Sequence, residues 1–420
     1  MKLSRMAEGL SGSEIIRLSN NIHARVAKGQ KIYNFTIGDF DPKVFPIPEE
    51  LNKEIRLAYE GQNTNYPPGQ GVADLRQAIS EYVLRYQGLN YNADDILVSG
   101  GARPLIYAVF NTVIDAGDKV IFAGPSWNND HFCHITNAVQ VIIDAKAENN
   151  FMPTAAQIAA HIEEASLVAL CSPLNPTGTM FSEQALLEIC QVIWKENQRR
   201  AAISPDMKPV YLIYDQVYNM LSFEGVQHFT PTTLVPEMRP YTIYVDAISK
   251  AFAATGVRIG WALGAPHIIK RMQAILAHLG AWPPKAEQIA TAKFLKNYAA
   301  VDTYLANFKS EIYFRLKAIY DGFMDLKQKG YKVDAIAPQG ALYLTIQLDL
   351  LGMSNEKHQL NTIDDLTEFL LDEVGLGLVP FYVFGAAKNS TWHRLSIGTC
   401  VKEEIAPMFA KLEAALATLK

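Results

Sequence analysis

From about residue 94 to residue 249 the chain alternates between two textures, and this alternation restricts the possible folds more than any other feature. Short β-branched and aromatic runs read as strands at 96–99, 119–123, 139–143, 167–171, 209–214 and 241–245. Helical patterns lie between several of them, at 103–114, 151–164 and 182–196, the last opening on Ser182 as an N-cap. Near-continuous apolar strands have no face to offer water. The pattern therefore predicts a mostly parallel sheet covered by helices on both faces. Such sheets bind ligands beyond the carboxyl ends of their strands.

What stands at those ends is chemically pointed. The run 119–123 leads into GPSW with Trp127, and 167–171 leads into SPLNPTG with Asn175. The run 209–214 leads into Asp215 and Tyr218, and 241–245 into Asp-Ala-Ile-Ser-Lys, ending at Lys250. Taken singly, each has an ordinary reading: a surface lysine, a capping carboxylate, a core tryptophan, a turn asparagine. Together, an aromatic, an amide, a carboxylate with a phenol, and a lysine at four strand ends describe one pocket. A desolvated lysine amine is nucleophilic and suited to Schiff-base chemistry. A buried carboxylate needs a partner, and a protonated pyridine nitrogen is one.

An anion site is legible separately. Ser99-Gly-Gly-Ala-Arg-Pro follows a strand and precedes a helix, with Pro104 fitting the first helical position. A glycine-rich turn of this kind also serves simply as a tight turn, and neither the P-loop nor GxGxxG is present. Arg258, a few residues beyond Lys250, supplies a guanidinium suited to a phosphate.

Composition narrows the class further. With 38 basic against 43 acidic residues the net charge is −5, which argues against a sequence-blind nucleic-acid binder. The one tight basic pair outside ordinary helical faces is Arg199-Arg200. No apolar run reaches the length of a membrane span, and the first twenty residues lack the apolar region of a secretory signal. Four cysteines without a CxxC, and nine histidines without a ligand spacing, predict buried thiols in a reducing compartment and no metal site. A cytoplasmic α/β protein is expected.

At 420 residues the chain is too long for one compact core. The tail reads as α+β, with helices at 301–329, 361–373 and 402–419, and antiparallel strands after Gly330 and at 377–380 and 393–396. The expected division is a large α/β domain at 46–300 and a small α+β domain formed by 1–45 with 301–420.

In combination and order, SPLNPTG, IYDQVY, SKAFAATGVRIGW and HRLSIGT resemble the class I/II aminotransferases among the fold-type I pyridoxal-phosphate enzymes, aspartate-aminotransferase-like in character. The resemblance runs from NFTIGDFDP near the start to Arg394 near the end. It implies pyridoxal 5′-phosphate as cofactor, amino acid and 2-oxo acid substrates, a ping-pong exchange, and a homodimer with shared sites. Lys250 would tether the cofactor and then shuttle the proton. Asp215 would pair with the ring nitrogen, Asn175 and Tyr218 would bond the ring hydroxyl, and Trp127 would stack on the ring. Gly101, Ala102, Ser249 and Arg258 would hold the phosphate, with Tyr66 of NYPPGQG reaching it from the other subunit. Arg394 would clamp the substrate carboxylate, helped by the backbone at Gly38.

This chain departs from the family pattern in places. Ala247 stands where a phosphate-binding serine is common, Gln216 follows the ring-binding Asp215 where Glu is common, and Pro380-Phe381 replaces a common Pro-Gly. The last change puts Phe381, Tyr382 and Phe384 near the expected entrance. Arg103 falls where one bacterial subgroup carries a basic residue for a distal carboxylate, which favours an aspartate- or glutamate-like substrate. Arg103 also suits a role in capping the loop or assisting the phosphate, and the aromatic cluster suits an aromatic or bulky donor. A lyase or synthase of the same fold shares these cofactor residues. A non-catalytic cofactor sensor is the reading from a different class, and it normally carries a DNA-binding domain ahead of this fold.

Overall fold

The structure, a computed structural model, describes residues 3–10 and 14–420. The reading of the first twenty residues as lacking a signal segment falls partly on residues 1–2 and 11–13, which lie outside the described residues.

The central element is a seven-stranded sheet built from Ile96–Ser99 (β1), Lys119–Gly124 (β2), Val139–Asp144 (β3), Ala165–Cys171 (β4), Tyr211–Asp215 (β5), Thr242–Ala247 (β6) and Gly260–Leu263 (β7). Their spatial order is β1-β7-β6-β5-β4-β2-β3. All neighbouring pairs run parallel except those involving β7, which is antiparallel to both β1 and β6. Strand β7 was not foreseen. It is short, opens on glycine, and has no helix separating it from the lysine turn, so neither the length nor the alternation that marks the others applies.

Helices cover both faces, as the apolar strands require. Ala73–Gln87, Glu183–Ile203 and Lys285–Lys296 pack on one face through residues such as Tyr82, Ile189 and Phe294. Ala102–Val113 and Pro266–Leu279 pack on the other through Leu105, Phe110 and Met272. The mostly parallel, doubly covered sheet is thus the predicted one. One predicted helix is broken: 151–164 contains only Ala155–Ala159 and a 3-10 turn at Ile162–Glu164. Asn150 and Phe151 take left-handed φ values of 52° and 58°, and Pro153 follows, so the helix starts only at its Thr154 cap.

The tail forms a separate antiparallel sheet of four strands, in which Tyr343–Leu348 lies between Val333–Ala335 and Trp392–Ser396, and the latter also pairs with Val379–Pro380. Tyr33, Phe35, Phe40 and Phe45 from the beginning of the chain join the apolar cluster of this unit. Helix Tyr298–Gln328 links the two cores, with Val301 and Leu305 in the first and Phe308 to Leu326 in the second.

Arg199 and Arg200 are committed locally. Arg200 is buried, bonding Glu196 and the carbonyls of Ile162, Glu163, Ala165 and Lys208, while Arg199 pairs with Glu196. Among the described residues no helix is long and apolar enough to cross a membrane, and no cluster of potential metal ligands occurs.

Candidate active site

The carboxyl ends of β2, β4, β5 and β6 open into a cavity of about 700 Å³ that is closed on its other side by residues 36–39, Tyr343 and Arg394. Of the residues singled out from sequence, Gly38, Ala102, Arg103, Trp127, Asn175, Asp215, Tyr218, Ser249, Lys250, Arg258 and Arg394 all line it. Two do not. Gly101 lies just behind the wall, against Arg258. Tyr66 is 84% exposed and packs edge-on against Trp282 at 5.8 Å, away from this cavity.

The row of residues Ser99, Gly260 and Ala247 runs across β1, β7 and β6, each paired with the next. From Ser99 the chain turns through two glycines into helix Ala102–Val113; ahead of Gly260 lies Arg258; after Ala247 comes the turn bearing Lys250. Gly101 caps the helix with φ +97°, and a Cβ there would meet the Arg258 guanidinium at 2.2 Å. Only glycine fits. Arg258 is itself oriented by donating to the carbonyls of Gly100 (2.9 Å) and Thr255 (2.7 Å). A helix N-terminus with free N–H groups, facing an oriented guanidinium, is a site for an anion. Pro104 occupies the third helical position rather than the first. Its missing N–H is still among those that find no partner inside the helix, so the helix is undisturbed.

Lys250 donates from Nζ to the Gly38 carbonyl at 2.6 Å and has no carboxylate partner among the described residues. Burial lowers its pKa to about 8, with Arg394, Arg103 and Arg258 adding to the fall and Asp39 opposing it. Asp215, at the end of β5, accepts the Val217 N–H at 3.1 Å and no other side-chain bond among the described residues, and burial pushes its carboxyl up to about 6. An amine and a carboxylate thus share one desolvated cavity without neutralising each other.

Arg394 is 2% exposed, yet it meets no carboxylate among the described residues. It donates to the Thr36 carbonyl (2.7 Å) and to Asn175 Oδ1 (3.1 Å), and its Nε has no partner among the described residues. The rings of Tyr343 and Phe384 lie 4.8 and 4.9 Å from its Cζ. A buried, uncompensated guanidinium of this kind is completed by an anionic ligand. Beside it a Cβ on Gly38 would come within 2.9 Å of the Tyr343 hydroxyl, so the backbone approaches closely there.

Tyr218 shares a 2.8 Å hydrogen bond with Tyr343, a residue the sequence reading missed. Also missed were the Thr36 carbonyl and Asp39, which accepts from Thr255 at 2.7 Å. At the mouth, exposed Arg103 lies 5.4 Å from the Trp127 ring and makes no ion pair among the described residues. Trp127 faces Phe384 at 6.1 Å, and Phe384 lies beside the guanidinium of Arg394. The rest of the expected aromatic cluster does not reach the entrance: Phe381 is buried against Phe151, Tyr382 donates to Asp364, and none of Phe381, Tyr382 and Phe384 lines the cavity. Cys171, at the end of β4, also lines the cavity, but burial raises its thiol pKa, so it is a poor nucleophile. The other three cysteines are buried, and all four are free.

Residues 30–412 match the family described as aminotransferase class I and II. The chain belongs to that family. Among curated relatives, it is 28% identical over 403 residues to an aspartate aminotransferase of Geobacillus stearothermophilus, with 95% of each chain covered. It is 30% identical over 408 residues to an asparagine–oxo-acid transaminase of Streptococcus mutans, again with 95% of each covered. Among solved structures, an aspartate aminotransferase from Rhizobium meliloti superimposes with a TM-score of 0.89 at 25% identity, covering all of both chains. The family and the fold-type I architecture are those the motif order implied, and the chain is an aminotransferase. Its cavity unites residues that lie more than 350 positions apart, Thr36 and Arg394 among them.

Proposed function

We propose that this aminotransferase uses pyridoxal 5′-phosphate to move an amino group from a dicarboxylic amino acid such as aspartate or glutamate to a 2-oxo acid. The observation that carries this reading is the pairing of an uncompensated lysine with an uncompensated aspartate in one cavity, with Arg394 opposite them. The donor set fits the cofactor group by group. An anion site lies at Gly101, Ala102, Ser249 and Arg258, a carboxylate for a ring N–H at Asp215, donors for a ring oxygen at Asn175 and Tyr218, and an aromatic face at Trp127.

When bound, pyridoxal phosphate supplies a carbonyl that carries the amino group and a ring that accepts the electron pair left at Cα. The remaining work belongs to the chain. Lys250, whose amine is buried without a carboxylate partner among the described residues, would hold the cofactor at its carbonyl carbon. Its depressed proton affinity then suits it to take a proton from one carbon and return it to another. Asp215 keeps the ring nitrogen protonated, which sustains the ring as an electron sink. Arg394 fixes the α-carboxylate in a fork and so orients the Cα–H bond. Tyr343 orients the Tyr218 hydroxyl through their shared hydrogen bond, and Tyr218 would bond the ring oxygen.

Arg103 supports the dicarboxylate choice, because its guanidinium stands at the cavity mouth without a protein carboxylate. Aromatic donors are a second reading, favoured by the Trp127–Phe384 wall. Tyr66 lies outside its own chain's cavity, which supports a homodimer in which it reaches the partner's phosphate. The division into domains at 46–300 and at 1–45 with 301–420, and a cytoplasmic location, belong to the same reading; four free thiols support the latter.

The test is an absorbance titration of the cofactor-loaded protein with single amino acids, followed by assay of the pyridoxamine form. Conversion by aspartate and glutamate, lowered about 10- to 100-fold in Arg103→Ala with neutral donors unaffected, is expected. Preference for phenylalanine or tyrosine, unchanged by that substitution, overturns the dicarboxylate choice. Failure of every amino acid to yield pyridoxamine phosphate overturns transamination in favour of a lyase or synthase.

A further inference from the structure

The cavity accounts for one side of strands β5 and β6, and a second polar cluster lies on the other. Asp246 precedes Ala247 in β6, and its neighbours Tyr82 and Gln87 come from helix Ala73–Gln87, which covers the face away from Asp215. Asp246 is 2% exposed and has no cationic partner among the described residues. Neither it nor Gln87, Gln216, Asn219 or His228 lines the cavity.

One run of hydrogen bonds in this cluster ends on Asp246, while Gln87 Nε2 also donates to Asn219 Oδ1 at 3.2 Å and Asn219 Nδ2 to the Gln216 carbonyl at 2.6 Å. His228 Nε2 faces Gln216 Oε1 at 3.4 Å, Gln216 Nε2 donates to Gln87 Oε1 at 2.6 Å, and Gln87 Nε2 donates to Asp246 Oδ2 at 3.1 Å. Asn219 Nδ2 donates to the same oxygen at 2.7 Å, and the Ala247 N–H donates to Oδ1 at 2.7 Å. Every contact on Asp246 delivers an N–H, the pattern of an ionised carboxylate, which only accepts. Burial pushes its carboxyl up to about 7, and the three N–H groups oppose that rise. The titratable groups around it are Asp215 on the adjoining strand, Tyr82 on the covering helix, and His228 through Gln216.

Two features give this cluster a bearing on the chemistry. First, Asp246 joins the two catalytic turns: Asn219 follows Tyr218, and Ala247 opens the turn that carries Lys250. Second, Asp215 pairs in the sheet with Val245, the residue just before Asp246, so the two carboxylates stand one residue apart on opposite faces. A negative charge behind Asp215 makes a positive charge in front of it more favourable. We propose that Asp246 is a positioning residue for the cofactor's ring nitrogen, locking the Tyr218 turn to the Lys250 turn and adding, from behind the sheet, to the negative potential that a protonated ring nitrogen would meet at Asp215.

This rests on the cofactor reading above, and the experiment separates the two. Cofactor-free protein is titrated at pH 8 with pyridoxal phosphate and with an analogue carrying carbon in place of the ring nitrogen, and both dissociation constants are read from visible absorbance. Wild type should favour pyridoxal phosphate. Asp246→Asn should cut that preference by about three- to tenfold. Asn219→Ala keeps the charge while removing a clamp on the turn, and should weaken both compounds alike with the preference intact. An unchanged preference in Asp246→Asn overturns the proposal, as does loss of preference in Asn219→Ala. Should Asp246→Asn not fold, Gln87→Leu removes a donor and drives Asp246 towards its neutral form; the preference should fall there too, and an unchanged value overturns the proposal. Wild-type protein that binds neither compound refutes the cofactor reading, and this one with it.

Discussion

Replacing Gly101 with alanine should disable the anion site by moving a different residue. The added methyl would lie 2.2 Å from Arg258 Nη2 and 2.8 Å from its Cζ. A guanidinium at the end of a flexible side chain will swing aside, so the cost lies in the contacts it abandons. Leaving the Gly100 carbonyl forfeits one charge-assisted hydrogen bond, about 1.5–3 kcal/mol, and withdraws the same group from a bound phosphate. The positive φ at residue 101, combined with ψ near 180°, adds about 1–3 kcal/mol of backbone strain for alanine. Gly101→Ala should therefore weaken pyridoxal phosphate binding roughly 10- to 100-fold and lower thermal stability modestly. The decisive comparison is with Arg258→Ala, in a double-mutant cycle read by absorbance titration of cofactor-free protein. If the methyl acts through Arg258, Gly101→Ala should cost less than about threefold in binding once Arg258 is gone, because the backbone strain weighs on folding in free and bound protein alike. Losses that simply add, or a single Gly101→Ala protein that binds within about twofold of wild type, would refute this reasoning.

Lys250→Ala should reduce turnover at least about a thousandfold while leaving the fold intact by circular dichroism, because both the tether and the proton carrier are lost. Near-normal transamination would sink the assignment. Arg394→Ala should raise KM for amino acid and oxo acid about 100-fold or more with cofactor affinity little changed, since two charge-assisted hydrogen bonds to the α-carboxylate disappear; released cofactor with unaltered KM would place the clamp elsewhere. Asp215 titrates near 6 in the folded protein against an ordinary 3.8, so the folded state holds the extra proton between those values and stability falls as pH rises through them. Asp215→Asn should thus stabilise the cofactor-free protein above pH 6 by about 3 kcal/mol, with the advantage shrinking towards pH 4, as followed by urea unfolding at several pH values. A gain that does not depend on pH would show that the carboxylate's burial is not the cause.

Much of this was legible from local sequence. Strands β2, β4, β5 and β6 announce themselves because strands buried on both faces must be apolar throughout, so the segments just after each run, with Trp127, Asn175, Asp215 and Lys250, stand out. Arg394 was legible only through the resemblance, since one arginine before a short apolar run carries no spacing signal of its own. Tyr343, Thr36 and Asp39 were not legible: each reaches the cavity from a distant part of the chain, and Thr36 contributes only a carbonyl, which any residue possesses. The break in 151–164 shows a different failure, where backbone conformations at Asn150 and Phe151 overruled a plausible helical pattern. Asp246 lay hidden for a third reason. Inside the run leading to Lys250 it looked like part of the turn, and only the structure shows it on the reverse face.

The row Ser99–Gly260–Ala247 has one more implication. A ladder cannot creep by fractions: to shift β7 by one step would send Trp261 to the wrong side of the sheet, so the spacing between the phosphate turn, Arg258 and Lys250 is held to whole-residue increments. That row serves as a surveyor's datum. Exchange of side chains at the cavity mouth, such as those of Arg103 and Phe384, leaves it untouched, so such a chain can exchange one amino-acid preference for another without recalibrating where its reactive atoms stand.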